Sequence, residues 1–265
     1  MLRYLIPLII FCLKVFSQET KLIELPTTLH ESSGLCVYDN FLFSINDSDN
    51  SPAITVFDTK GLLINVCTIE NIVNRDWEAI TIHNKTVYIA NTGNNTEKPV
   101  DYSILIIDVD SVLNNKNAGC QQISFSFPGL KSYDSEGMVY FNDSLFLFTK
   151  NHTSPFDGKV HVFGIDLKTN QQVAFAYKTI QLPATFSFEN SVTDACWLSD
   201  KLVLLTYRYV YLLEGTLKDG WAVYKTIEFT SATQKEGVFF FENKLYITDE
   251  STYLGAASLY LINMN

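Results

Sequence analysis

The chain has 265 residues, of which 47% are hydrophobic and 14% aromatic, and its 29 acidic side chains outnumber 19 basic ones. The net charge of −10 disfavours nucleic acids and anionic membranes as partners, because both would repel the protein. Cations, and small ligands held by cations, are the partners that this charge favours.

The N-terminal segment has the features of a secretory signal peptide. Arg3 precedes an apolar run, and Val15-Phe16-Ser17 suits cleavage. We predict a signal peptide over residues 1–18 and one domain over residues 19–265, either secreted to the extracellular space or periplasmic if bacterial. Lys14 makes the run too short for a membrane span, although an uncleaved anchor is the alternative. Removing the segment leaves 17 basic and 29 acidic residues, a net charge of −12.

A short motif recurs five times along the rest of the chain. In each copy a polar residue precedes a small one and opens an apolar strand, and thirteen residues later a second strand turns polar. The copies are Ser33-Gly34, Glu78-Ala79, Glu136-Gly137, Asp194-Ala195 and Glu236-Gly237. Such regularity indicates a repeat protein.

Short runs of β-branched and aromatic residues, bounded by Asn, Asp, Gly and Ser, predict strands throughout the repeats. In chain order the first four repeats give strands at 34–38, 41–45, 54–58, 63–69; 77–83, 86–90, 102–109, 121–127; 136–141, 145–149, 159–166, 173–181; and 193–198, 202–206, 209–214, 223–229. The fifth repeat gives only three strands, at 237–241, 245–248 and 257–262. Residues 21–29 form a spare strand that belongs to no other repeat.

These strands predict an all-β fold, a five-bladed β-propeller with about 48 residues per blade. The N-terminal strand over residues 21–29 closes the last blade. Six blades would need four further strands. A β-sandwich is the alternative, but it does not explain why one spare strand matches one missing strand.

Four carboxylates and one serine converge on the axis of the predicted propeller. The residues are Ser33, Glu78, Glu136, Asp194 and Glu236. Their mutual repulsion and desolvation require a neutralising partner. Calcium accepts six to eight oxygen ligands, whereas zinc prefers His and Cys, so we predict a calcium ion held by these five residues. Alternatively, the carboxylates accept backbone N–H groups or share protons in a water-filled channel.

The residues that follow the second strands divide the rim of the channel by charge. Lys150 and Arg208, on neighbouring blades, are candidates for holding a phosphate or carboxylate. Asp47, Asn91 and Glu250 complete the predicted substrate site. For the charged residues of this predicted site, the alternative is that they form ordinary surface ion pairs.

Asp76 and Asp134 each precede a ring glutamate by two residues and are candidate catalytic carboxylates. A turn or strand-start role is the alternative for both. His30 and His152 also lie near the predicted mouth, where we expect solvated loop histidines.

Four cysteines follow the predicted signal peptide, and all lie in strand-like sequence: Cys36, Cys67, Cys120 and Cys196. Their spacing fits neither a zinc site nor a small disulfide framework, so we predict mostly buried thiols. Five sequons begin at Asn46, Asn84, Asn94, Asn142 and Asn151. They predict a glycoprotein only if the organism glycosylates secreted proteins.

The motif with Ser or Glu before a small residue on five inner strands resembles the calcium-activated nucleotidases (apyrases). It is similar, more loosely, to the six-bladed paraoxonase and gluconolactonase propellers. Asp76-Trp-Glu-Ala79 and Thr92-Gly-Asn-Asn95 resemble secreted propellers of unassigned function. The resemblance implies an axial calcium at the ring positions, but the inserted loops of the apyrases are missing.

We therefore expect a secreted calcium-binding propeller that hydrolyses a small anionic ester, phosphoanhydride or lactone at the channel mouth. The alternative is a non-catalytic module with a structural calcium, whose loop face recognises an extracellular protein or glycan. We expect a monomer in either case.

Overall fold

The computed structural model describes residues 13–16, 19–183, 189–216, 218–252 and 255–264. Within them, five sheets form a five-bladed β-propeller, which confirms the predicted fold class. The strands are β1 (Leu13–Phe16), β2 (Thr20–Glu24), β3 (Ser32–Tyr38), β4 (Phe41–Asn46), β5 (Ala53–Asp58), β6 (Leu63–Ile69), β7 (Trp77–His83), β8 (Thr86–Asn91), β9 (Tyr102–Asp108), β10 (Asn117–Ala118), β11 (Gln121–Ser126), β12 (Ser135–Phe141), β13 (Ser144–Thr149), β14 (Lys159–Asp166), β15 (Gln171–Val173), β16 (Phe175–Gln181), β17 (Val192–Leu198), β18 (Lys201–Thr206), β19 (Tyr209–Thr216), β20 (Gly220–Glu228), β21 (Lys235–Phe241), β22 (Lys244–Asp249) and β23 (Ser258–Asn263).

The five blades follow one another around the channel in chain order. Their innermost strands are β3, β7, β12, β17 and β21. Each packs against the next, and β21 packs against β3, which closes the ring. Small residues stand where these strands approach: a Cβ on Gly34 would lie 3.1 Å from the backbone nitrogen of Ile80.

The N-terminal strand β2 is the outermost strand of the fifth blade and runs antiparallel to β23, so it completes this blade as predicted. It is shorter than the predicted strand over residues 21–29. Pro26 has no N–H to donate to a ladder, and a turn follows in which the Leu29 N–H donates to the Pro26 carbonyl at 2.8 Å.

Three blades carry a fifth strand that the sequence did not predict. β10 pairs in parallel with β6 of the first blade, β15 with β11 of the second, and β1 with β20 of the fourth. The strand predicted over 173–181 is therefore two strands, β15 and β16, which belong to different blades.

The strand β1 comes from the segment predicted as a signal peptide, and the other residues of that segment lie outside the described residues. The signal peptide and secretion stay predictions. No helix in the described ranges is long and apolar enough to cross a membrane.

Apolar side chains fill the spaces between neighbouring blades. Cys36, Cys67 and Cys196 are buried thiols, as predicted, and Cys120 is half-buried. A short helix, α1 (Val109–Asn114), packs two buried valines, Val109 and Val112, against the core between the first and second blades. This helix was not predicted, because its main sequence signal is the N-cap residue Asp108, whose side chain accepts the Ser111 N–H.

Candidate functional site

Each inner strand carries a β-bulge at its mouth end. In the second blade Trp77 pairs with Asn91 and Ala79 with Ala90, so Glu78 is the extra residue. Glu136 and Glu236 are the extra residues of the third and fifth blades. A bulge re-aims the side chain of its extra residue, and here it sets three glutamates apart from the flat faces of their strands.

The fourth blade departs from the spacing used to align the repeats. Val192 pairs with Thr206 and Asp194 with Leu205, so the extra residue is Thr193. The position of Asp194 corresponds to the small residue of the other copies. The alignment of Asp194 with the ring was therefore wrong by one residue.

Thr193 behaves as Ser33 does. The Ser33 hydroxyl donates to the Trp77 carbonyl of the next blade at 2.5 Å, and the Thr193 hydroxyl donates to the Lys235 carbonyl of the next blade at 2.6 Å. Both hydroxyl protons tie neighbouring blades together. The axial ring thus consists of two linking hydroxyls and three carboxylates.

The Asp194 side chain lies between strands and holds backbone groups. Its Oδ1 accepts the Ala195 N–H and its Oδ2 accepts the Val238 N–H, each at 2.7 Å. This is the arrangement that the sequence left open as the alternative to calcium binding.

Five carboxylates from the first three blades gather at one side of the mouth. Candidate ligand atoms of Asp47, Asp76 and Glu78 lie within 4.8 Å of one another, as do those of Glu78, Asp134 and Glu136. Glu78 belongs to both groups. We call these five residues the acidic cluster. It contains two of the predicted ring ligands, and the other two ring carboxylates, Asp194 and Glu236, lie outside both groups.

Gly93 lines the acidic cluster and was missed as a site residue. A Cβ at this position would overlap Glu78 Oε1 and the Asp76 carboxylate. The Gly93 N–H also donates to the Asp76 carbonyl at 3.2 Å. Glycine is therefore needed for the carboxylates to lie against the backbone. The sequence showed a signal in Thr92-Gly-Asn-Asn95, but without a role for the glycine.

The raised pKa values of its carboxyl groups indicate that the acidic cluster has too few positive charges nearby. Burial, a hydrogen bond to Asp47 and the charges of Asp47 and Asp134 raise the pKa of Asp76 to about 7. Burial and the Glu136 charge raise the pKa of Glu78 well above its usual range. Arg75 does not neutralise them by contact: its guanidinium donates to the carbonyls of Gly93 and Asn91.

Glu136, a member of the acidic cluster, also belongs to a second network that includes Glu236. Lys150 Nζ donates to Glu136 Oε1 at 2.5 Å and to the Tyr207 hydroxyl at 2.9 Å. The Tyr207 hydroxyl donates to Glu236 Oε1 at 3.1 Å. Burial raises the pKa of Glu250 to about 7 beside Glu236. Tyr207, which links the third and fifth blades here, was not predicted as a site residue.

The structure separates the predicted cation pair. Arg208 donates from Nη2 and Nε to Glu228 Oε1 at 3.2 and 3.4 Å, which ties it to the outer part of its own blade. Lys150 instead lines two cavities at the mouth, and Arg208 lines neither. The two residues thus contact different carboxylates, and their joint binding of an anion stays a prediction.

His152 is an exposed loop residue, as expected, but its side chain is also paired with a buried carboxylate. Its Nε2 lies 2.7 Å from Oδ2 of Asp134, which is fully buried and whose Oδ1 accepts the Asn94 N–H. His30, by contrast, is more than half exposed. Asn91 supports the same region, because its Oδ1 accepts the Asp76 N–H at 3.1 Å.

Two cavities of about 400 and 380 Å³ flank the loop after β13. Both are lined by Lys150, Asn151, His152 and Thr153, and the larger one also by Lys131. His152 and Lys150 line both cavities, and they contact Asp134 and Glu136 of the acidic cluster respectively. The geometry thus combines an oxygen-rich cluster, a histidine paired with a buried aspartate, and a lysine-lined entrance.

Comparison with known proteins supports the fold only. No family model matches the chain, and no curated protein matches it. Among solved structures, a GH43_1 enzyme from Xanthomonas citri has a TM-score of 0.56 at 8% identity, covering 92% of this chain and 89% of that one. The GH43 β-xylosidase/α-arabinofuranosidase CoXyl43 from a compost microbial metagenome has a TM-score of 0.56 at 10% identity, covering 92% and 94%. A propeller assigned as a gluconolactonase has a TM-score of 0.51 at 10% identity, covering 89% and 75%.

Proposed function

We propose that this chain is a secreted, calcium-dependent hydrolase that acts at the channel mouth on a small anionic ester, phosphoanhydride or lactone. The observation that carries the proposal is the contact between Asp134 and His152 at 2.7 Å. Through it, a buried member of the acidic cluster is joined to a histidine that lines both cavities. The hydrolases among the propeller neighbours are compatible with this activity.

The acidic cluster suits a hard cation. Asp47, Asp76 and Glu78 offer only oxygen atoms, and no lysine contacts this group among the hydrogen bonds of the described residues. Calcium accepts such ligands in flexible geometry, whereas zinc prefers nitrogen and sulfur. A calcium-free form is described for one GH43 neighbour, which supports testing calcium first. When bound, calcium would polarise the scissile group.

His152 is placed to act as a general base. Its contact with Asp134 through Nε2 fixes the orientation of the ring and leaves Nδ1 for a water molecule or the substrate. Asp134 then acts as a positioning residue. The sequence proposed Asp134 itself, and Asp76, as catalytic carboxylates; the structure supports a metal-holding role for Asp76.

The anionic part of the substrate would be attracted by lysines. Lys150 lines both cavities and Lys131 lines the larger one, where Lys131 is exposed. These residues replace the predicted pair of Lys150 and Arg208. Asp47 and Glu250, predicted as substrate-binding residues, instead contribute negative charge to the mouth.

The test is hydrolysis of a panel of aryl esters, lactones, nucleoside diphosphates and aryl glycosides, with and without calcium. We expect calcium-dependent turnover of one class, and a loss of 10²- to 10⁴-fold in His152→Ala with unchanged calcium affinity. His30→Ala is the matched control. Turnover that is equal in the chelated protein, or unchanged in His152→Ala, would contradict the proposal.

A non-catalytic module with a structural calcium is the second candidate. The observation in its favour is that the acidic cluster spans three blades, with Asp47 in the first, Asp76 in the second and Asp134 in the third. An ion there would fasten the blades together. This candidate predicts that chelation lowers the melting temperature while no substrate of the panel is turned over.

A further inference from the structure

A third cavity lies at the opposite end of the propeller from the acidic cluster. Its volume is about 890 Å³, more than twice that of either mouth cavity. It is lined at the hairpin turns that join the first and second strands of the third and fourth blades, Asn142-Asp143 and Ser199-Asp200. We propose that this base cavity binds an uncharged oligosaccharide. The inference is independent of the proposed hydrolase function.

Aromatic rings form the wall of the base cavity. Trp197 and Trp221 are half-buried, with ring centroids 6.4 Å apart and planes tilted by 51°. Tyr140 stacks on His83 at 3.7 Å, and its carbonyl accepts the Trp197 indole N–H at 3.0 Å. The wall is thus fixed in place, and it offers large apolar faces in a part of the molecule that water can reach.

The rim of the base cavity is polar, and the Lys168 ammonium lies 3.8 Å from the carboxylate of Asp143. Asn142, Asp143, Ser199, Asp200 and Thr216 are exposed there. No lysine or arginine is among the described residues that line the cavity. Carboxylate and amide oxygens accept hydrogen bonds from hydroxyl groups, whereas an anionic ligand would be repelled by Asp200.

This combination matches the surfaces of a sugar ring. A pyranose has an apolar C–H face, which can pack on an indole, and an edge of hydroxyl groups, which can donate to the rim. Asp143 is already oriented, because its Oδ1 accepts the Tyr140 hydroxyl at 2.9 Å. The aromatic wall would therefore contact the C–H face of the sugar, and the rim would accept hydrogen bonds from its hydroxyl groups.

Size separates a sugar from an alkylammonium ion, the other ligand that aromatic and acidic groups attract. A single ammonium group is held within about 6 Å of ring faces in a compact cage. The base cavity, at about 890 Å³, lies towards the upper end of the roughly 300–1,000 Å³ typical of sites for larger small molecules. An oligosaccharide uses this space, and a lone ammonium group does not.

The experiment is a titration followed by intrinsic tryptophan fluorescence. Trp77, the remaining one of the chain's three tryptophans, is fully buried elsewhere, so an emission change reports on Trp197 and Trp221. The unglycosylated protein, made in a bacterial host so that the Asn142 sequon carries no glycan, is titrated with xylo-, cello- and chito-oligosaccharides and with tetramethylammonium. We expect saturable binding of at least one oligosaccharide series.

Two variants locate the binding. We expect Trp221→Leu and Asp200→Ala each to weaken oligosaccharide binding about tenfold or more, with Asn40→Ala, at the corresponding turn of the first blade, unchanged. Calorimetry serves as the readout for the tryptophan variant, and the melting curve shows whether it is folded. Binding should persist after chelation of divalent cations.

Three results would overturn the proposal. They are the absence of saturation by every oligosaccharide series, tighter binding of tetramethylammonium than of any sugar, and loss of sugar binding on chelation, which would place the sugar at the mouth. The first two results leave the proposed hydrolase function untouched, whereas the third would itself support a divalent-cation site at the mouth.

Discussion

The mouth and the base are built from opposite ends of the same strands, yet only the mouth follows the repeat. The inner strand β12 begins near Glu136 at the acidic mouth and ends at Tyr140 and Phe141 in the aromatic base. At the mouth, bulges recur in every blade. At the base, the aromatic wall is concentrated on the third and fourth blades. A regular scaffold thus carries an acidic cluster at one end and an aromatic cavity at the other.

The largest expected effect is on calcium affinity, and it distinguishes an ion bound at the acidic cluster from an ion bound on the channel axis. Glu78 belongs to both metal-capable groups, whereas Glu236 belongs to neither. We expect Glu78→Gln to weaken calcium binding by about 100-fold, because a charged ligand is lost. Glu236→Gln, the matched control, should change the affinity by less than about threefold. Equal losses in calorimetric titrations would restore the axial ring as the calcium site.

The next effect tests the packing of the carboxylates on Gly93. A Cβ in Gly93→Ala would overlap both Glu78 and Asp76. We expect an affinity loss of about tenfold and a destabilisation of roughly 1–3 kcal/mol, as in other overpacked sites. Gly119→Ala is the control, since a Cβ there meets no atom within 4 Å. A Gly93→Ala protein that binds calcium normally would contradict the placement of the cluster.

A smaller effect, on the free energy of unfolding, distinguishes Asp194, which holds backbone N–H groups, from the carboxylates of the acidic cluster. Asp194→Asn places an amide where two backbone N–H groups donate, and one of them loses its acceptor. We expect a loss of about 1–3 kcal/mol in the free energy of unfolding with unchanged calcium affinity. If chemical denaturation shows no loss while calcium titration shows a weaker site, the original ring assignment of Asp194 is correct.

The smallest effect is the pH dependence of the metal-free protein. Burial raises the pKa of Asp76 and of Glu250 to about 7, above the range of an unfolded carboxyl group. The folded state therefore holds protons that the unfolded state releases, and stability falls as pH rises through about 7. We expect the melting temperature to fall by a few degrees from pH 5.5 to pH 8. Calcium should reverse the trend, and a flat or rising curve without calcium would contradict it.

The fold could be predicted because strand length, turn composition and the fivefold motif all agreed. One spare strand and one missing strand fixed how the ring closes. The outer strands β10 and β15 could not be found in the same way, because each is only two or three residues long and pairs with the edge of a blade.

The acidic cluster lies at the predicted end of the channel, but its membership differs from the predicted ring. The spacing of the repeats selected Glu78 and Glu136, which both belong to the acidic cluster. Spacing does not show which residue of a strand is the extra residue of a β-bulge, so Asp194 was selected in the fourth blade instead of Thr193. Gly93 and the pairing of His152 with Asp134 depend on contacts between residues far apart in the motif. Burial decides these roles, and a single sequence shows burial only through its strand pattern.

The most direct test of the account is an anomalous difference map from crystals of the protein grown with calcium. We predict a peak coordinated by Asp47, Asp76 and Glu78, or by Glu78 together with Asp134 and Glu136, at oxygen distances of about 2.3–2.6 Å. A map with no peak at saturating calcium, or with a peak on the axis between Ser33 and Glu236, would contradict it.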